Sequence, residues 1–208
     1  TCFYHHGQSG AGATLDRLAR LTKTAAQRFY AAGYEVQSTR LATVPFPIMV
    51  PTCCDDSAVI LAQKLEIRAA EHGFSYVSLG PALPQYPESY RLIPKMIAAT
   101  RNVFFGGVMA TAAEGVPLPA VRACAEVIHK AAQITPDGFA NLRFSALANV
   151  LPGTPFFPAG YAGGALPAFA LALECADVAV NAFSRAATLE AARNYLLTDL
   201  ETQTSVLT

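Results

Sequence analysis

The sequence predicts an α/β protein built on a parallel five-stranded sheet with crossover helices, and three observations lead to that class. Five short runs carry strand-like apolar patterning; each is followed by a loop rich in Gly or Pro and then by a segment with helical apolar spacing. The unit recurs every roughly 35 to 45 residues, the length of a βαβ unit, without any repeat of sequence motifs. Parallel neighbours need a crossover of a dozen or more residues, and such crossovers are right-handed, so a serial strand–loop–helix rhythm points to parallel pairing.

The elements follow in order. "TCFYHH" reads as the first strand, "GQSGAGA" as its loop, and "TLDRLARLTKTAAQRFYAAG" as a helix whose Leu15, Leu18, Leu21 and Ala25 share a face and whose Gly33 caps the end. "YEVQSTRLATV" is the second strand, "PFPIMVPTCC" its loop, and "DDSAVILAQKLEIRAAEHG" a helix with an acidic first turn, suited to the helix dipole, and Gly73 at its end. "FSYVSLG", "PALPQYPES" and the short "YRLIPKMIAAT", which contains Pro94, form the third unit. "NVFFGGVM", "ATAAEGV" and "PLPAVRACAEVIHKAAQIT" form the fourth. "NLRFSALANV" is the fifth strand, leading into "NVLPGTPFFPAGYAGGALPAF" and an apolar segment, "ALPAFALALECADVAVNAF", read as a helix buried between layers. Nothing splits the chain, so residues 1–208 are expected to form one α/β domain that is part of a larger barrel.

Composition narrows the function classes. Charged residues make up 14% of the chain against roughly 25% in typical globular chains, and apolar residues reach 52%, so a partner, a second copy or a missing second half is expected to cover part of the surface. With 15 basic and 15 acidic residues the net charge is zero, which leaves no electrostatic footprint for nucleic acid or an anionic membrane. Pro167, Glu174 and Asp177 interrupt the best apolar run before the ~20 residues needed to span a bilayer. Five cysteines, an odd number and mostly in apolar context, suit reduced thiols and a cytoplasmic location better than a disulfide framework. The absence of an initiator Met and the opening on a strand suggest a fragment.

The stretches "AATRNVFFGGVM", "GVPLPAVRACAEVIHKAAQITPDGFANLRFSALANVLPGTPFFPAGY" and "FALALECADVAV" resemble the first half of the bacterial and archaeal family catalogued as domain of unknown function 711. The resemblance rests on the ordered Asn-containing strand, amphipathic helix and Asn-x-x-x-x-x-Pro-Phe loop, here Asn149, Pro155 and Phe156. It implies a fold like that of pyruvate formate-lyase and the anaerobic ribonucleotide reductases, a ten-stranded barrel of two five-stranded halves, of which this chain would supply one half-barrel. Relatives often end the loop in aromatic-His-Gly, whereas Tyr161 is followed here by Ala162 and Gly163, so no histidine role carries over.

The loops that follow parallel strands gather on one sheet edge, where ligands bind in such folds. Asn149, with donor and acceptor groups, and the apolar Phe156, Phe157 and Tyr161, with Gly153, Gly163 and Gly164 letting the backbone approach closely, form the expected ligand-binding set. The same prolines and aromatics could instead plug the barrel end. His5 and His6 close the first strand and point to opposite faces, so one of them could act as a general acid or base, or make a structural hydrogen bond. "GQSGAGAT" and "GYAGGA" offer backbone N–H groups to an anion, although the first lacks both the P-loop lysine and a full dinucleotide fingerprint. The pair Cys53 and Cys54 invites comparison with the thiols of glycyl-radical lyases, but no radical-bearing glycine loop accompanies it, and with Asp55 and Asp56 it lacks a second ligand cluster for zinc. No serine sits in a nucleophile elbow. His72 and His129 read as structural, Glu174, Asp177 and Asn181 as one polar stripe, and no cofactor or metal is assigned. The expectation is an enzyme that binds a small polar metabolite at the C-terminal edge of the parallel strands; the alternative is a non-catalytic binding or assembly protein on the same scaffold.

Overall fold

The computed structural model describes residues 1–4, 11–50, 55–163 and 168–205, and among them the chain forms two compact units, Thr1–Leu171 and Ala172–Thr208. In the first unit β1 (Cys2–Tyr4), β2 (Arg40–Pro45), β3 (Tyr76–Ala82), β4 (Val103–Ala110), β5 (Phe144–Ala148) and β6 (Ala168–Phe169) make one sheet in the order β5-β4-β3-β2-β1-β6. The first five strands run parallel, each beside its predecessor. The sheet is nevertheless mixed and six-stranded, where the sequence predicts five parallel strands: β6 runs antiparallel along β1, with Cys2 opposite Phe169 and Phe3 opposite Ala168. Two residues are too few for alternation to reveal a strand.

The crossovers contain α1 (Ala11–Ala31), α2 (Asp55–Glu71), α3 (Ile93–Ala99) and α4 (Leu118–Ala131). Because every crossover steps in the same direction and keeps the same hand, all four helices fall on one face of the sheet. The core shows this: Leu41, Val77, Leu79, Val103 and Phe105 from the strands are buried in one cluster with Leu15, Leu18, Leu65, Ile93, Ile97, Cys124 and Val127 from the helices. Gly33 and Gly73 close α1 and α2 as expected, at φ 88° and 80°, with the following N–H of Tyr34 and Phe74 returning to the carbonyls of Phe29 and Ala69.

On the other face, Phe3, Ala42 and Val44 form a second, smaller cluster with Ala162, and Met49, Phe157 and Ala170 pack against it. The segment following β5 therefore recrosses the sheet, from β5 at one edge to β1 and β6 at the other, over the face opposite α1–α4. The Ala162 N–H donates to the Thr43 carbonyl at 2.9 Å, and the Thr1 hydroxyl donates to the Pro155 carbonyl at 2.8 Å.

The edge where the strands begin is stitched by side chains. Arg143 donates to the carbonyls of Ile97, in the last turn of α3, and Thr100, just past its end, and burial holds its guanidinium below the usual arginine range. The Glu66 carboxylate accepts from the backbone N–H groups of Arg101 and Asn102, fixing the turn into β4.

The second unit contains α5 (Ala176–Ser184) and α6 (Leu189–Thr204). The predicted helix over residues 165–183 is thus shorter and begins later; Glu174 precedes it, so the stripe of Glu174, Asp177 and Asn181 does not lie on a single helix. Val178, Ala182 and Ala192 are buried, while Val180 and Phe183 are more than half exposed. Thr188 caps α6 by accepting the Ala191 N–H. No helix among the described residues is long and apolar enough to cross a membrane.

Candidate functional site

At the C-terminal edge β2, β3, β4 and β5 each pass into a shaped turn. After β2, a 3₁₀ turn at Phe46–Ile48 buries Phe46. After β4, Thr111 and Gly115 exchange two backbone hydrogen bonds, and the carboxylate of Glu114 accepts from Gln85 Nε2 at 2.7 Å, which ties this turn to the one after β3. Tyr90, from the 3₁₀ stretch Pro87–Leu92, is 2% exposed and donates its hydroxyl to the Val108 carbonyl. Burial first, and then the charges of Cys124 and Glu114, push its phenol well above the ordinary range, so it stays a neutral donor.

Asn149 is the turning point after β5. Its φ of 54° makes it the one non-glycine residue in the left-handed region among the described residues, a conformation that Asn tolerates better than most side chains. Its N–H donates to the Ala110 carbonyl at 3.0 Å, which keeps β5 registered with β4 to its last residue, and the side chain is exposed.

The remaining predicted ligand residues separate into two groups. Gly153, Tyr161 and Gly163 come together in the neck of the excursion: the Gly153 N–H donates to the Tyr161 carbonyl at 2.9 Å, the Tyr161 hydroxyl donates to the Val150 carbonyl at 2.9 Å, and a Cβ on Gly163 would lie 2.3 Å from Pro152 Cβ. Burial raises the Tyr161 phenol above its ordinary value. Phe156 lies at the far end of the excursion, 59% exposed, next to Pro155 and hence beside the strand starts. It does not share a wall with Asn149. His5, His6, Cys53, Cys54 and Gly164 lie outside the described residues.

Sequence reasoning missed the aromatic row on the face opposite α1–α4. Tyr76 meets Phe104 edge-on at 5.3 Å between centroids, Phe104 meets Phe157 at 5.6 Å, and the Arg40 guanidinium carbon lies 5.4 Å from the Phe157 centroid. Strand alternation places Tyr76 and Phe104 on one face, but only the strand order shows that Phe157 returns to them. A groove of about 340 Å³ along the first turns of α4, lined by Leu118, Pro119, Arg122, Ala123 and Glu126, includes none of the predicted residues.

A sheet wound in one direction, crossover helices on one face, a chain excursion over the other and turns gathered at the strand ends define an α/β protein of the mostly parallel class. The chain belongs to the family described as Uncharacterised ACR (DUF711), whose model matches residues 10–206. A UPF0210 protein of Pyrobaculum islandicum is 31% identical over 162 residues, covering 74% of this chain and 35% of that relative. One from Neisseria meningitidis is 26% identical over 137 residues, covering 63% and 30%, and one from Listeria monocytogenes is 27% identical over 139 residues, covering 63% and 31%. The matched stretch spans about a third of the length of the curated relatives.

Proposed function

We propose that this chain is one portion of a larger barrel-forming enzyme that binds a small polar metabolite where the parallel strands end. Asn149 carries the reading. A non-glycine residue held in the left-handed region is a local cost that functional sites tolerate, and this one presents an exposed carboxamide at the strand edge where ligands gather in parallel α/β sheets. The face opposite α1–α4 and the outer edge of β5, unpaired among the described residues, suit a half-barrel completed by a second set of strands, as in the pyruvate formate-lyase-like architecture. Those strands come from the remainder of the longer protein or from a second copy.

A specific observation favours the second reading, a non-catalytic binding or assembly protein. Tyr161 and Gly163 satisfy the closure of their own loop, and the Tyr161 hydroxyl is already committed to Val150. Native mass spectrometry of the full-length protein, followed by identification of any released molecule, separates the two. The enzyme reading expects a retained polar metabolite that is lost in Asn149→Gly, a variant that suits the backbone conformation and deletes only the carboxamide. Retention unchanged in Asn149→Gly, or a clean apo mass that no metabolite shifts, leaves the assembly reading.

A further inference from the structure

We propose that Arg40, framed by Phe157, Phe104 and Tyr76, is a binding site for the carboxylate of a small organic acid with a flat apolar body. Arg40 opens β2 on the face opposite α1–α4 and is the register partner of Tyr76 on β3. Its guanidinium is held from two sides: Nε donates to the Ser38 hydroxyl at 2.9 Å, and the group lies over the Phe157 ring. The two terminal nitrogens have no hydrogen-bond or ion-pair partner among the described residues, although the residue is half-buried. A solvated surface arginine samples many rotamers; this one is fixed, so a ligand would meet a preorganised fork.

The surroundings select the ligand. A planar guanidinium whose two terminal nitrogens have no partner among the described residues matches the two oxygens of a carboxylate. A phosphate dianion would call for further cations or a nest of backbone N–H groups, and this row supplies one arginine. The ring edges of Tyr76, which is 36% exposed, and Phe104 offer a surface against which a flat apolar body can pack. One step along the same row, Ser78 is 1% exposed with a hydroxyl that has no hydrogen-bond partner, leaving a second polar group unsatisfied on this face. The inference does not depend on the Asn149 reading, because the two positions lie at opposite ends of the strands.

The probes are benzoate and its neutral counterpart benzamide, titrated calorimetrically into the full-length protein. Saturable benzoate binding is expected, with benzamide weaker by about tenfold or more. Arg40→Gln is expected to lose benzoate binding by a similar factor. Arg40→Lys, which keeps the charge over Phe157 but not the fork, is expected to lose most of it and stands in if the glutamine variant does not fold. Tyr76→Leu should weaken both probes by a smaller and equal factor. No saturable benzoate binding, equal binding of the two probes, or wild-type benzoate affinity in a folded Arg40 variant overturns the proposal.

Discussion

Cys124 shows how a single buried group sets a response to pH. Its thiol is 2% exposed on α4, lies 3.5 Å from the Gly107 carbonyl, and burial raises its pKa from the ordinary 9.0 to about 11. A raised folded-state value means that the folded chain keeps a proton the unfolded chain releases, so the contribution is fully present below pH 9 and is lost as pH rises towards 11. Tyr90, whose phenol is shifted the same way and touches the same pocket, adds to the loss. Urea midpoints are therefore expected to fall between pH 8 and pH 10.5, and to fall less in Cys124→Ala, whose absolute stability at pH 8 should be lower by about 1 kcal/mol because of the lost side-chain volume. Native Cys124 should also resist iodoacetamide at pH 8 under conditions that label an unfolded control.

The pairing of β2 with β3 shows the same logic for an element. A Cβ on Gly80 would lie 2.5 Å from the Val44 carbonyl oxygen, and the Gly80 N–H donates to the buried Thr43 hydroxyl at 3.1 Å, so the two strands meet at their closest where the register shifts. Gly80→Ala must push these backbones apart and is expected to cost roughly 1–3 kcal/mol, read as a lower urea midpoint with an unchanged slope. Elements of this kind were mostly legible in advance. The alternating runs and the Leu spacing located five strands and the four crossover helices because burial on one face imposes those periods locally. The sequence does not distinguish the part of the segment 165–183 that forms α5 from the part that forms β6, since residues 165–173 are apolar throughout and no clear cap stands before Cys175. It also left α6 unassigned although Thr188 signals its start. Of the candidate site, Asn149 at the end of β5 could be placed from pattern alone. That Phe157 would reach Phe104 and Arg40 could not, because it depends on the order of strands in space.

For the whole molecule the open features coincide. β5 has no partner on its outer side among the described residues, and Phe139, Leu142 and Leu151, which flank it in sequence, are each more than 60% exposed. Such an edge pairs readily with another chain. Expressed alone, the 208-residue chain is expected to self-associate with rising concentration in light scattering, while the full-length protein gives one defined species; a stable 22.0 kDa monomer of the isolated chain would remove the argument for a covering partner. The winding order carries one more consequence. Each strand from β2 to β5 adds next to the one synthesised just before it, so a nascent chain can extend this sheet stepwise as it leaves the ribosome, with little waiting for distant residues. The contacts that must wait are those of Thr1 with Pro155 and Ala170, which join the two ends of the first unit. Completion of the face opposite α1–α4 is thus the last event in the synthesis of the first unit, and until then Phe3, Ala42 and Val44 are the surface a chaperone would find.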